Sequence, residues 1–334
     1  MKAKLLNELT SINGISAHEN NVRTYLETNL SNYIDEFSYD NLGSLIMKIK
    51  GTGQGKSMAV IAHMDEVGFI VRSIDEKGFI KVATVGGVDL NTINNVQVTL
   101  NGHIGVVMLK PVNNEYKIDL NNFCIDFGFN SKENAIESGI KIGDQINFVN
   151  NFQTIANNKI IAKSLDDRIG IAALVELATT IDKSKLQGDL YLCASVQEEV
   201  GLRGATTLIN KLPDDLINVL IIDVSPITDI YDETSCRVGS GALIRIQDPG
   251  MIFNYEVVNQ LRELAQVNNI SFQEFFSTGG TDSRVVEIAK SGHIVGAICI
   301  PARALHAQNT VASIDDINAA CNLATAYIYD VIGG

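Results

Sequence analysis

The chain has 334 residues, 46% of them hydrophobic, which is ample for one large core or two, and no part of it has a disordered composition. With 39 acidic side chains against 26 lysines and arginines, the net charge of -13 disfavours a nucleic-acid backbone or an anionic membrane as partner. The amino-terminal stretch lacks the apolar core and cleavage site of a signal peptide, no run is long enough to span a bilayer, and the five cysteines are scattered without a C-x-x-C pair, so a cytoplasmic protein with reduced thiols is predicted.

Residues 16–19 read S-A-H-E, a capping box that predicts a helix with Val22, Tyr25, Leu26 and Leu30 on its apolar face and His18 at the surface. Two strand-like runs follow, 44–49 and 58–62. The G-T-G-Q-G-K-S between them imitates a phosphate loop but is one residue short between its outer glycines and leads into a strand, so it reads as a hairpin turn. The second run ends on H-M-D-E-V-G, from His63. From about 69 to about 156 the texture changes to short Val/Ile-rich runs broken by Gly and Asn, with one short helix at 131–138; this predicts a small β-barrel or sandwich inserted into a larger unit.

The α/β pattern resumes with I-I-A-K-S-L-D-D-R from residue 160 and a helix carrying Ile171, Leu174, Val175 and Ala178 on one face. A strand from 189 runs into S-V-Q-E-E-V-G, from Ser195. A helix at 202–210, strands at 219–223 and 242–246, a long helix around Val257, Leu261 and Ala265, and a run at 271–276 follow, before the turn G-G-T-D at 279–282. The last strand, 294–300, leads into P-A-R-A-L-H, and Ser313 with Asp316 predicts the cap of a final helix. Alternating strands and helices predict an α/β fold, a doubly wound mixed sheet covered by helices on both faces, built from residues 1–68 and 157–334, with 69–156 as an inserted barrel-like domain.

Five potential ligands stand just after predicted strands or at the start of the segments that follow them: His63, Asp166, Glu199, Asp223 and His306. Strand ends in such a sheet converge on one crevice, so residues distant in sequence can meet there. Singly each has an ordinary structural explanation. Jointly, two imidazoles and three carboxylates suit two divalent borderline cations such as zinc, cobalt or manganese, with one carboxylate bridging. Glu198 and Glu199 are adjacent on an extended backbone and point in opposite directions, so one can bind metal while the other handles a proton. His103 and His293 lie beside glycines in turns and read as structural.

These motifs carry a resemblance. H-M-D-E-V-G-F from 63, L-D-D-R-I-G from 165, Q-E-E-V-G-L-R-G-A from 197, the strand ending in Asp223, G-G-T-D from 279 and P-A-R-A-L-H from 301 resemble, in order and over nearly the whole chain, the M42 family of dinuclear metallo-aminopeptidases. The resemblance implies that Asp166 bridges the metals, that His63 and Asp223 serve opposite metals from His306 and Glu199 in some pairing, that Asp65 orients His63, and that Glu198 is the general base. It implies short peptides as substrates and dimers that build a dodecamer, which gives the inserted segment an assembly and access role. Ala304 and Ala307-Gln308 depart from the tyrosine and Ser-Pro common around the final histidine, and Gly241-Ala242 stands where Gly-Pro is common; all three bear on substrate preference. A dinuclear amidohydrolase, either an acyl-amino-acid deacylase or a carboxypeptidase, is the alternative on the same ligand set. Two adjacent glutamates and a chain without tryptophan argue against a glycosidase.

Overall fold

The computed structural model describes residues 3–111, 115–232 and 236–334. The chain begins with helices α1 (Ala3–Ser11) and α2 (Asn20–Leu30), then strands β1 (Glu36–Tyr39), β2 (Leu45–Ile49) and β3 (Ser57–His63). Strands β4 (Gly68–Ile74), β5 (Ile80–Val85), β6 (Gln97–Leu100), β7 (His103–Leu109), β8 (Phe123–Asp126) and β9 (Gln145–Phe148) follow, with the short helix α3 (Lys132–Glu137) before the last of them. These six strands close into a barrel in the order β4-β5-β8-β7-β6-β9. Its interior is its own apolar cluster, built on Phe69, Val98, Phe123, Ile125 and Phe148.

The chain then returns to the large sheet through β10 (Gln153–Ile155) and β11 (Lys159–Ala162). After helix α4 (Leu165–Thr180) come β12 (Leu190–Ser195), α5 (Arg203–Leu208), β13 (Leu216–Pro226), β14 (Ala242–Asp248) and β15 (Met251–Ile252). The last elements are α6 (Tyr255–Val267), β16 (Phe272–Phe276), α7 (Ser283–Glu287), β17 (Val295–Arg303), β18 (Thr310–Ser313) and α8 (Ile314–Ile332). The sheet runs β1-β2-β12-β3-β13-β17-β18-β11-β10, with β14 to β16 attached beside β17. At its centre β12, β3, β13 and β17 are parallel, and every residue of β3 and β12 is buried. That continuous burial is why these strands read as unbroken apolar runs rather than alternating ones: both faces are covered. Helices α1, α2 and α8 pack around α4, and α5 packs with α7.

Three local expectations are corrected. The glycine-rich stretch after β2 is not a hairpin turn, because β12 lies between β2 and β3, antiparallel to one and parallel to the other. Gly51 and Gly55 instead let that stretch lie against the backbone around Gly188, which leads into β12. The S-A-H-E stretch is not a capping box: α2 has no side-chain cap, Ser16 Oγ donates to Asp65 at 2.6 Å, and Glu19 Oε1 accepts from the Gln197 N–H at 3.0 Å. Both side chains turn inward toward a partner far along the chain. At the last helix Ser313 does cap, accepting from Asp315 N–H, but Asp316 turns away to accept from Gly239 and Gly241.

Candidate metal centre

The parallel strands deliver the site. Ser195 and His63 are paired at the ends of β12 and β3, and Asp223 lies on β13 beside them. His63 is buried at the last position of β3; its Nε2 is 3.0 Å from Asp166 Oδ1 and 3.9 Å from Asp223 Oδ1. His306 lies between β17 and β18, and its Nε2 is 3.3 Å from both Asp166 Oδ2 and Glu199 Oε1. Asp166 therefore stands between the two imidazoles, one oxygen toward each. On one flank are His63 and Asp223; on the other are His306 and Glu199.

The peptide that carries the two glutamates is fixed from below. Asp65 is fully buried and accepts the N–H of Glu198 on one oxygen and that of Glu199 on the other, at 2.9 and 3.1 Å. Ser16 adds a third hydrogen bond to it, and His63 Nδ1 lies 3.4 Å away. One carboxylate thus sets the direction of both glutamates and faces the far side of the first imidazole. Asp167, joined to Asp166 by a cis peptide, is buried and accepts from the backbone N–H of His63 at 3.2 Å and of Gly170 at 2.8 Å. A Cβ at Gly170 would collide with that carboxylate, which explains the glycine of L-D-D-R-I-G.

Electrostatics make the same point. Burial, reinforced by the charge of Asp166, pushes the Asp223 carboxyl up to about 8. Burial also raises Glu198 well above the usual carboxylate range; His63 opposes this, while Asp223, Asp282 and Glu199 add to it. Burial works against a charged His306, yet Asp166 and Glu199 outweigh it and lift its pKa to about 11. So many acids crowded together must either take up protons or share positive charge. Glu199 Oε1 is buried and makes no hydrogen bond, and its 3.3 Å approach to His306 Nε2 lacks hydrogen-bond geometry. Single ligand atoms of His63, Asp166 and Glu199, and likewise of His63, Asp167 and Asp223, lie within 4.8 Å of one another. This donor set of imidazole nitrogens and carboxylate oxygens fits divalent cations.

The structure brings together all seven residues singled out from sequence: His63, Asp65, Asp166, Glu198, Glu199, Asp223 and His306. Further residues complete the surroundings, some of them inside the quoted motifs and one, Gly87, outside them all. Gly87, in the loop leaving β5, accepts from His306 Nδ1 through its carbonyl at 3.0 Å. Asp282 of G-G-T-D is buried and accepts from Ser195 Oγ at 2.6 Å. Glu66 is buried and bonded to Lys163, Ser164, Gly14 and the barrel residue Asn147. Arg168 is structural: it lies 3.5 Å from Glu66 and donates to the carbonyls of Leu9, Ile12 and Met64. His103 stacks edge-on against Phe129, away from the site.

The family model for M42 glutamyl aminopeptidases matches residues 43–323. The chain belongs to the M42 peptidase family. This M42 peptidase is 32% identical over 324 residues to the glutamyl aminopeptidase of Lactococcus lactis, covering 92% of this chain and 90% of the relative. The solved aminopeptidase APDkam598 of Desulfurococcus kamchatkensis superposes with a TM-score of 0.93 at 30% identity, over 98% of this chain and 94% of that one. The TET1 peptidase of Pyrococcus horikoshii, described as assembling into a tetrahedron or a large octahedral shell, superposes with a TM-score of 0.87 at 26% identity, over 97% and 98% of the two chains. Among the described residues no helix is long and apolar enough to cross a membrane.

Proposed function

We propose that this M42 peptidase releases the N-terminal residue of short peptides with the help of two divalent cations, zinc, cobalt or manganese, which Asp166 and the side chains around it would hold. The observation that carries the reading is the Asp166 carboxylate, with one oxygen 3.0 Å from His63 Nε2 and the other 3.3 Å from His306 Nε2. His63 and Asp223 would complete one cation's ligands; His306 and Glu199 would complete the other's. When bound, the cations supply positive charge that polarises the scissile carbonyl and lowers the pKa of the attacking water.

The remaining work falls to the chain's own side chains. Glu198, half-buried and free of a ligand role in this assignment, takes a proton from the water and returns it to the leaving amine, since an amide nitrogen leaves poorly as an anion. Its placement depends on Asp65, whose two oxygens hold the backbone N–H groups of Glu198 and Glu199. Asp65 also faces His63 Nδ1 at 3.4 Å, and a proton kept on Nδ1 beside that carboxylate would leave the Nε2 lone pair free to hold a cation. Asp167 is already engaged by two backbone donors and serves to hold the turn. The barrel, by analogy with the assembling relative, would take part in joining dimers into a dodecamer that admits short peptides and excludes folded chains.

The test is a panel of aminoacyl amides beside N-blocked counterparts, assayed on metal-stripped protein reloaded with zinc, cobalt or manganese separately. Free amino termini should be cleaved and blocked ones spared. Cleavage of blocked substrates alone would instead place the protein among the deacylases.

A further inference from the structure

The two imidazoles of the centre are held by unlike partners. His63 sits at the end of β3, and its Nδ1 faces the carboxylate of Asp65, two residues away. His306 has no strand of its own: it lies between β17 and β18 at φ +59, and its Nδ1 meets the carbonyl of Gly87 at 3.0 Å. Gly87 belongs to the barrel side of the molecule, in the loop that leaves β5. Its neighbour Gly86, at φ +74, lies on the other member of the same flank. A Cβ there would be 3.1 Å from Glu199 Cβ, 3.3 Å from Glu199 Oε2 and 2.8 Å from Val67 Cγ1. A Cβ on Gly87 would be 3.0 Å from His306 Nδ1. Two consecutive residues without side chains thus touch Glu199 and His306, the pair on one side of Asp166. On the other flank the Asp167 carboxylate accepts the backbone N–H of His63, Asp223 accepts that of its own neighbour Val224, and His63 Nε2 lies 3.0 Å from Asp166 Oδ1.

We propose that Gly86-Gly87 is the positioning element of the cation subsite formed by His306 and Glu199, so that the barrel fixes one of the two metal positions through a backbone carbonyl. The proposal rests on the two-cation reading above. A carbonyl can only accept, so it selects the tautomer with hydrogen on Nδ1 and leaves the Nε2 lone pair directed at the space bordered by Asp166 Oδ2 and Glu199 Oε1. It also fixes the ring plane of a residue that no strand pairing holds. The absence of side chains at 86 and 87 is what allows the loop to come this close.

The experiment is a Co2+ titration of metal-free protein in competition with a chromogenic chelator, read also by the visible absorption of bound cobalt, on wild type and on Gly87→Ala. Gly102→Ala is the control: it is another barrel glycine at positive φ, +86, with nothing within 4 Å of the added Cβ. Wild type should bind two Co2+ per chain. Gly87→Ala should keep one ion at wild-type affinity and hold the other about 10- to 100-fold more weakly, as expected when an outer partner of a metal-bound histidine is lost. Gly102→Ala should lower thermal stability and leave both affinities alone. If Gly87→Ala does not fold, an ester in place of the 87–88 amide weakens the same carbonyl without adding an atom, and the same selective loss is expected. Both affinities within twofold of wild type, or an equal loss at both sites shared by Gly102→Ala, would overturn the proposal. A wild type that binds a single ion would overturn the two-cation reading and this proposal with it.

Discussion

Replacing Lys163 with Met should destabilise the fold by about 3 kcal/mol at pH 8, with a smaller loss at pH 5. Lys163 and Glu66 are 1% and 2% exposed, and the ammonium lies 2.6 and 2.8 Å from the two carboxylate oxygens. Glu66 also accepts from Gly14 N–H, Asn147 and Ser164, with Arg168 3.5 Å away, so this one carboxylate ties the amino-terminal segment, the barrel and the approach to Asp166 together. Methionine fills the space of the lysine stem but removes two charge-assisted hydrogen bonds and strands a buried anion. Breaking a buried pair from one side typically costs about 3–5 kcal/mol, and the contacts that Glu66 retains argue for the lower end. In the native protein burial works against the Glu66 charge, but Lys163 and Arg168 outweigh it and hold the carboxyl below its usual value. Its contribution is therefore present above the unfolded pKa and is lost as the pH falls through the folded one. Without Lys163 burial dominates and the folded pKa rises, so the variant recovers on acidification. The assay is urea unfolding followed by far-UV circular dichroism at fixed protein concentration, since the chain has no tryptophan. Adding Glu66→Gln should restore about 1 kcal/mol or more by removing the stranded charge. A single variant within about 0.5 kcal/mol of wild type, or one hurt more at pH 5 than at pH 8, would refute the reasoning.

The two glutamates should fail differently. Glu198→Gln should lower kcat roughly a hundred- to ten-thousand-fold with metal content unchanged, whereas Glu199→Gln should weaken one ion and be partly rescued by added metal; metal analysis and kinetics on the same preparations would expose a reversed assignment. Asp65→Asn turns an amide N–H toward one of the two backbone N–H groups of Glu198 and Glu199, which can only donate, so metal affinity should drop about 10- to 100-fold and kcat with it; unchanged cobalt binding would remove Asp65 from the positioning role. Light scattering should give a particle many times the mass of the 36.2 kDa chain, and a monomer at micromolar concentration would contradict the assembly reading.

The sequence revealed the features that follow a local rule. Strand ends in a parallel sheet converge, so His63, the E-E peptide after β12 and Asp223 on β13 could be placed in one crevice from their positions alone. The barrel strands announced themselves by their change of texture, and Ser131 caps α3 in the expected place. Features set by distant partners were not legible. The insertion of β12 between β2 and β3 joins residues more than 130 positions apart. Ser16 and Glu19 have the spacing of a cap but find stronger partners in Asp65 and the Gln197 N–H, a competition that no window of sequence records. Strand β18 was missed because its four residues gain their place only by pairing with β11 and β17. Gly87 acts through a carbonyl, which every residue has, so composition gives it no mark.

The most direct test of the central claim is to strip the protein with a chelator, add back metal in measured equivalents, and follow release of an N-terminal residue from an aminoacyl amide. Five side chains at one centre exceed what a single four-coordinate catalytic ion with an open position would use. Activity should be absent without metal and should reach its plateau at two equivalents per chain, with both ions recovered by elemental analysis of the restored enzyme. Full activity in the stripped protein, or a plateau at one equivalent, would contradict the account.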